Sequence, residues 1–200
     1  MISIYQLKPK FQNLLLPVLD VLHKKGVTAN QITLLSLACS ALIGLALFFV
    51  NSSPACLLAV PLGLFVRMAL NALDGMMART YHMQSTLGML LNEFGDVLSD
   101  ILIYLPLAVV PGIHLGLVYA FVLAGVLNEF AGVLAKVASG TRRYDGPMGK
   151  SDRAFFVGAL CTAMYFYPPT LAVAAPLLAA ACVLIALSSY LRLSRSWGGQ

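Results

Sequence analysis

Charge is scarce in this chain. Asp, Glu, Lys and Arg make up 10% of its 200 residues, and the mean hydropathy is +0.85, too apolar for an ordinary soluble domain. Strand-like alternation of polar and apolar residues is also missing. The apolar runs are long and continuous, which favours helices, whose backbone groups pair internally in lipid. The cysteines, Cys39, Cys56, Cys161 and Cys182, show no paired metal-ligand spacing. They read as small apolar residues and not as a disulfide framework or a zinc site. No internal repeat or low-complexity segment divides the sequence. No small-residue cleavage pattern follows the first apolar positions, so no signal peptide is expected.

What is present is apolar length. Six stretches, about 32–50, 55–78, 87–110, 115–138, 154–169 and 171–191, lie near the roughly 20 residues that cross a bilayer as a helix. Ahead of them, Phe11, Leu14, Leu15, Val18, Leu19 and Leu22 recur at helical spacing between flanking lysines, the pattern of a helix lying in the membrane interface. The expected fold is therefore all-α: an integral membrane protein of six transmembrane helices with an N-terminal interfacial amphipathic helix. It forms one domain over 1–200, comprising the interfacial helix 1–27, the bundle 28–191 and a tail 192–200.

Positive charge is missing from one side. The connections near 51–54, 111–114 and 168–170 carry no Lys or Arg, whereas Lys8, Lys10, Lys24, Lys25, Arg79, Arg142, Arg143, Lys150, Arg153, Arg192 and Arg195 fall on the other. That asymmetry places both termini and the 139–153 loop in the cytoplasm. The net charge of +5 is then a positive-inside signature, and no nucleic-acid partner is implied.

Against this background the stretch 71–100, NALDGMMARTYHMQSTLGMLLNEFGDVLSD, is anomalous. Arg67, Asn71, Asp74 and Ala78 are three or four residues apart and share one face of the second expected span. Gly88, Asn92, Asp96 and Asp100, four apart, form a stripe on the third. Carboxylates gathered at a membrane surface repel one another and resist desolvation. A divalent cation resolves both problems, and all-oxygen ligands suit Mg²⁺ or Mn²⁺. Ionisable groups in membrane helices are costly, so function is their default reading. Gly75, Ala78 and Gly88 leave room for a ligand to approach backbone, and Arg79 can grip a phosphate. The combination points to a metal–phosphate site. Arg67 lies roughly 18 Å inward of Arg79, and Asp100 roughly 18 Å inward of Gly88, at about 1.5 Å per residue. Arg67 is therefore expected to pair with Asp100 or with Glu129.

The stretch resembles the signature of the CDP-alcohol phosphatidyltransferases, D-x2-D-G-x2-A-R-x8-G-x3-D-x3-D. At those positions this chain has Asn71, Asp74, Gly75, Ala78, Arg79, Gly88, Asn92 and Asp96, so six of eight match and the x8 gap is kept. Thr28-Ala29-Asn30 with Thr33, the Gly149–Arg153 turn and the six-helix layout are also similar to the family. The variant with NALDG and LNEFGD is similar to divergent bacterial inner-membrane members. The resemblance implies a CDP-linked donor, such as CDP-diacylglycerol, attacked by a small polar alcohol, phosphorylated or not, with release of CMP. It implies metal ligands among Asn71, Asp74, Asn92, Asp96 and Asp100, and a donor pocket of Asn30, Thr33, Gly75, Ala78, Arg79 and Gly88. Asp96 would be the general base. A site on the cytoplasmic face of a bacterial inner membrane follows, and the homodimers common in the family would be permitted by small-residue helix faces.

Two departures weaken the match. Asn71 and Asn92 replace aspartates, so the site brings less charge and would hold a metal less tightly or hold fewer ions. Asp100, one turn beyond Asp96, could compensate. A shifted register ending on Asp96 and Asp100 breaks the x8 gap, so the unshifted register is preferred. Arg142, Arg143, Lys150 and Arg153 either bind a phosphorylated acceptor or are ordinary cytoplasmic-loop charge that attracts lipid headgroups. Besides transfer of a phosphatidyl group, two alternatives stand: a CDP-aminoalcohol donor with a lipid acceptor, and a catalytically silent relative that binds lipid or nucleotide.

Overall fold

The computed structural model describes residues 7–197, with side chains from residue 10 onward. The Lys8 side chain and the outer ends of the 1–27 and 192–200 segments lie outside the described residues. Seven α-helices account for most of the described residues: α1 (Leu7–Lys24), α2 (Ala29–Leu47), α3 (Ala59–Thr80), α4 (Thr86–Tyr104), α5 (Leu115–Ser139), α6 (Lys150–Phe166) and α7 (Leu171–Trp197). Short 3₁₀ turns at Pro54–Leu58 and Pro168–Thr170 lead into α3 and α7, and Leu105–Val109 closes α4. No strand occurs among the described residues.

Local chemistry sets several helix boundaries. Thr28 caps α2 in a capping box: its hydroxyl accepts from the Gln31 amide at 3.3 Å, and Gln31 Oε1 accepts from the Thr28 amide at 2.9 Å. Ser85 caps α4 by accepting from the Gly88 amide at 3.0 Å. Gly140 ends α5 at φ 75°, a left-handed conformation that glycine adopts without a Cβ clash.

Each of the six expected spans coincides with a helix. Among the described residues four helical stretches, Ala29–Leu47, Pro54–Thr80, Leu115–Ser139 and Pro168–Trp197, are long and apolar enough to cross a membrane. The apolar run of α4 is interrupted by Glu93, Asp96 and Asp100, and α6 has 17 residues with Lys150, Asp152 and Arg153 in its first turn. The outer surface stays apolar, with Leu42, Leu62, Phe65, Phe155 and Val183 exposed, as a lipid-facing surface requires.

The packing differs from the expectation in one respect that matters for the site. A short connection between the second and third spans predicts helices in direct antiparallel contact. Instead α2 lies along both α3 and α4, which are hardly in contact through their backbones. Their polar side chains reach toward each other across a gap floored by α2. The α2–α4 crossing is tight: a Cβ on Gly44 would collide with the Leu102 carbonyl oxygen. α5 packs on α7, and α6 on α3. The main core joins α2–α7 around Val60, Ile103, Leu107, Phe121, Val157 and Leu178. A second core of Leu19, Ala29, Ile32, Leu73, Met76 and Met77 fixes α1 against α2 and α3. The four cysteines are free.

Candidate active site

The gap between α3 and α4 is built by helical periodicity. Asn71 and Asp74 project from α3, and Asn92 and Asp96 from α4. Asp74 Oδ2 accepts hydrogen bonds from the Thr33 hydroxyl at 3.0 Å and from Asn92 Nδ2 at 3.2 Å. Asn71 accepts from the Ser36 hydroxyl at 2.7 Å and donates to Asp96 Oδ1 at 3.5 Å. Asp96 Oδ1 also pairs with Lys150 at the start of α6. Asn30 lies at the mouth, where a Cβ on Gly88 would stand 2.8 Å from its Oδ1. Arg79 folds back over Gly75, whose added Cβ would lie 3.2 Å from its Nη1. Ala78 is half-buried beside them in the second core.

The residues expected in the donor pocket thus converge on the end of the gap held by α1, α2 and the α3–α4 turn. Ser36 was not among them. One turn beyond Thr33 on an apolar helix, a serine reads as packing, and only its bond to Asn71 gives it away.

A hard divalent ion fits this set. Among the described residues no side chain hydrogen-bonds to Asp74 Oδ1 or Asp96 Oδ2, so each carboxylate keeps one oxygen for a ligand. The Asn71 and Asn92 amides and the Thr33 hydroxyl supply neutral oxygens nearby. No three His, Cys, Asp or Glu side chains converge among the described residues, as the two asparagines dictate. Asp100 faces elsewhere. It pairs with Arg67 at 3.1 Å and with Arg153 at 2.8 Å. Arg67 is buried, and it also donates to the Asp96 carbonyl at 3.3 Å, which fixes the backbone under the Asp96 carboxylate.

The basic residues of the 139–153 region join an ion-pair network on the α5 side. Arg153 is fully buried between Asp100 and Glu129, 3.0 Å from the latter. Arg142 pairs with Glu129 at 2.9 Å and with Glu93. Burial pulls its guanidinium below the usual arginine range. Arg192 lies 3.7 Å from Glu129 and donates to the Asn128 carbonyl at 2.6 Å. Arg143 lies apart, 4.0 Å from Asp145, which also pairs with Arg195. Glu129 therefore serves three arginines and leaves Arg67 to Asp100. On the other flank α1 is tied to the α3–α4 turn: the Tyr81 hydroxyl donates to Asp20 at 2.8 Å, and its ring stacks on His23 with centroids 3.5 Å apart.

Comparison with known proteins accords with this geometry. The inner membrane protein YnbA of Escherichia coli (strain K12) is 49% identical over 166 residues, 83% of this chain and 82% of that protein. Two structures of the Mycobacterium tuberculosis phosphatidylinositol phosphate synthase share the fold. The one with CDP-DAG bound has a TM-score of 0.75 at 21% identity, covering 90% of this chain and 92% of that one. The one in complex with manganese and citrate has a TM-score of 0.76 at 22% identity, covering 90% and 88%. The profile of the CDP-alcohol phosphatidyltransferases matches residues 26–190, which hold every residue of the gap, and the chain belongs to the CDP-alcohol phosphatidyltransferase family.

Proposed function

We propose that the chain is a phospholipid-synthesis transferase. It would move a phosphatidyl group from CDP-diacylglycerol to a small polar alcohol and release CMP, with Mg²⁺ or Mn²⁺ bound. The observation that carries this reading is the pair of free carboxylate oxygens, Asp74 Oδ1 and Asp96 Oδ2, facing one gap from opposing helices. The structural relatives, one bound to CDP-DAG and one to manganese, support the choice of donor and metal.

In this reading Asp74, Asp96, Asn71 and Asn92 hold the ion. Bound there, a divalent cation offsets the charge of the donor phosphates. Gly75 and Gly88 let the pyrophosphate approach backbone, Arg79 grips it, and Asn30 and Thr33 fix the floor. Asp96 takes the proton of the acceptor hydroxyl as its oxygen bonds to the lipid-linked phosphorus. The phosphorus–oxygen bond to CMP breaks, and CMP leaves with the electron pair. Lys150 and Arg67 hold the Asp96 carboxylate in place.

The same reading has all six helices α2–α7 crossing the membrane and α1 lying in its cytoplasmic interface. Both termini and the gap then face the cytoplasm. A bacterial inner membrane is the proposed location, as for the Escherichia coli relative.

A second reading, a silent binding protein, draws on the asparagines, whose amides donate to Asp74 and Asp96 and satisfy them in part without an ion. CMP release by purified protein in mixed micelles separates the two. The assay supplies CDP-diacylglycerol, metal and a pool of alcohols, with Asp96→Asn as control. Release that needs metal, acceptor and Asp96 is expected. No release from folded protein would favour the silent reading.

A further inference from the structure

We infer that the acceptor is a hydroxyl-bearing compound that carries no phosphate of its own. This rests on the transferase reading above and narrows it. The cations beside Asp96 that could grip a phosphorylated acceptor are already matched. Lys150 is held by Asp96, Arg153 by Asp100 and Glu129, and Arg142 by Glu93 and Glu129. With Arg67 on Asp100, four cations face four carboxylates. Arg192 adds a fifth cation, but it is 1% exposed and committed to the Asn128 carbonyl. Arg143 and Arg195 share Asp145 at a separate place.

Access sharpens the point. The most exposed of these eight side chains is a carboxylate, Glu93 at 31%, and its partner Arg142 is 14% exposed. A ligand entering there meets a carboxylate before a guanidinium. A phosphate monoester brings a charge of about −1.5 to −2 at neutral pH. To reach Arg142 it must displace Glu93 and then sit beside the carboxylate it displaced, a like-charge contact in a partly dry site. A hydroxyl compound faces no such conflict, because it can donate to carboxylates and accept from guanidinium N–H groups. Arg79, which pairs with no carboxylate among the described residues, stands at the far end of the gap over Gly75, where the donor pyrophosphate is assigned.

The test compares matched acceptors in the micelle assay: glycerol with glycerol 3-phosphate, and inositol with inositol phosphate. The free alcohol is expected to support CMP release at least roughly tenfold faster than its phosphate ester. Glu93→Gln, which leaves Arg142 with one carboxylate fewer, should shift the ratio several-fold toward the ester. Faster release with the esters in the wild-type protein would overturn the inference. If no acceptor gives release, the transferase reading falls, and a binding arm still decides the acceptor question. Glycerol 3-phosphate is titrated into Arg79→Ala protein, which lacks the uncommitted guanidinium. Saturable binding at micromolar concentration would refute the inference. No saturable binding there, and its appearance once Glu93→Gln is added, would support it.

Discussion

The cluster around Asp74 and Asp96 and the network around Glu129 are built from the same kinds of side chain, share α4 and stand side by side. They differ in what is left over. In the first, neutral donors hold Asp74 at Oδ2, and Asn71 and Lys150 hold Asp96 at Oδ1, so among the described residues no side chain bonds to the other oxygen of either. In the second, Arg153 and Glu129 are buried and every carboxylate meets a guanidinium. Polar residues in a membrane helix therefore split by residual capacity. Those with oxygens to spare are assigned to ligands, and those matched by charge hold α3, α4, α5 and α6 in register. Net charge alone would not separate them.

The comparison can be broken from either side. Asp96→Asn should have the largest effect, lowering CMP release by roughly 10²–10⁴-fold. Its thermal unfolding in detergent should barely move, because Asn keeps the shape and can still meet Lys150. Arg153→Met should do the reverse. Removing one partner from a buried ion-pair network costs about 3–5 kcal/mol, read as lower melting temperature and yield of folded protein. Adding Glu129→Gln should recover part of that loss, since the two residues are coupled. Gly88→Ala comes next. Its Cβ displaces Asn30, and a strain of about 1–2 kcal/mol, a factor of roughly 5–30, should appear in the KM for the donor and not in stability. The smallest effect is expected of Asn92→Asp, which returns a charge to the ligand set. The Mg²⁺ concentration for half-maximal activity should fall a few-fold, and an unchanged value would mean that Asn92 lies outside the ligand shell.

Much of the first region was legible in the sequence because helices have fixed rise and periodicity. Those two numbers put Asn71 with Asp74 and Asn92 with Asp96, and they gave Arg67 and Asp100 a common depth, where a 3.1 Å pair is found. What the sequence hid was everything that depends on a third element. The insertion of α2 holds α3 and α4 apart, and nothing in the short connection at 81–85 signals it. Ser36 became a site residue only through that insertion. The second region was less legible still. Arg142 reaches Glu93 and Glu129 because the 140–149 segment folds back over α5 and α7, a path that no local pattern encodes. The sequence offers the basic residues of the 139–153 loop as an acceptor-phosphate site or as ordinary loop charge, and the carboxylates that meet them come from α4, α5 and the loop itself.

The contact between Gly44 and the Leu102 carbonyl has a mechanical consequence. It is one end of a seam along which α2 and α4 run side by side. From it α2 runs 14 residues, about 21 Å, back to Asn30, and α4 runs the same number back to Gly88. The seam ends at the mouth of the gap, where Asn30 meets Gly88. A methyl group on Gly44 would wedge α2 and α4 apart at the seam's far end. A residue with no polar atom beyond its backbone thereby helps keep the floor of the gap seated on α4.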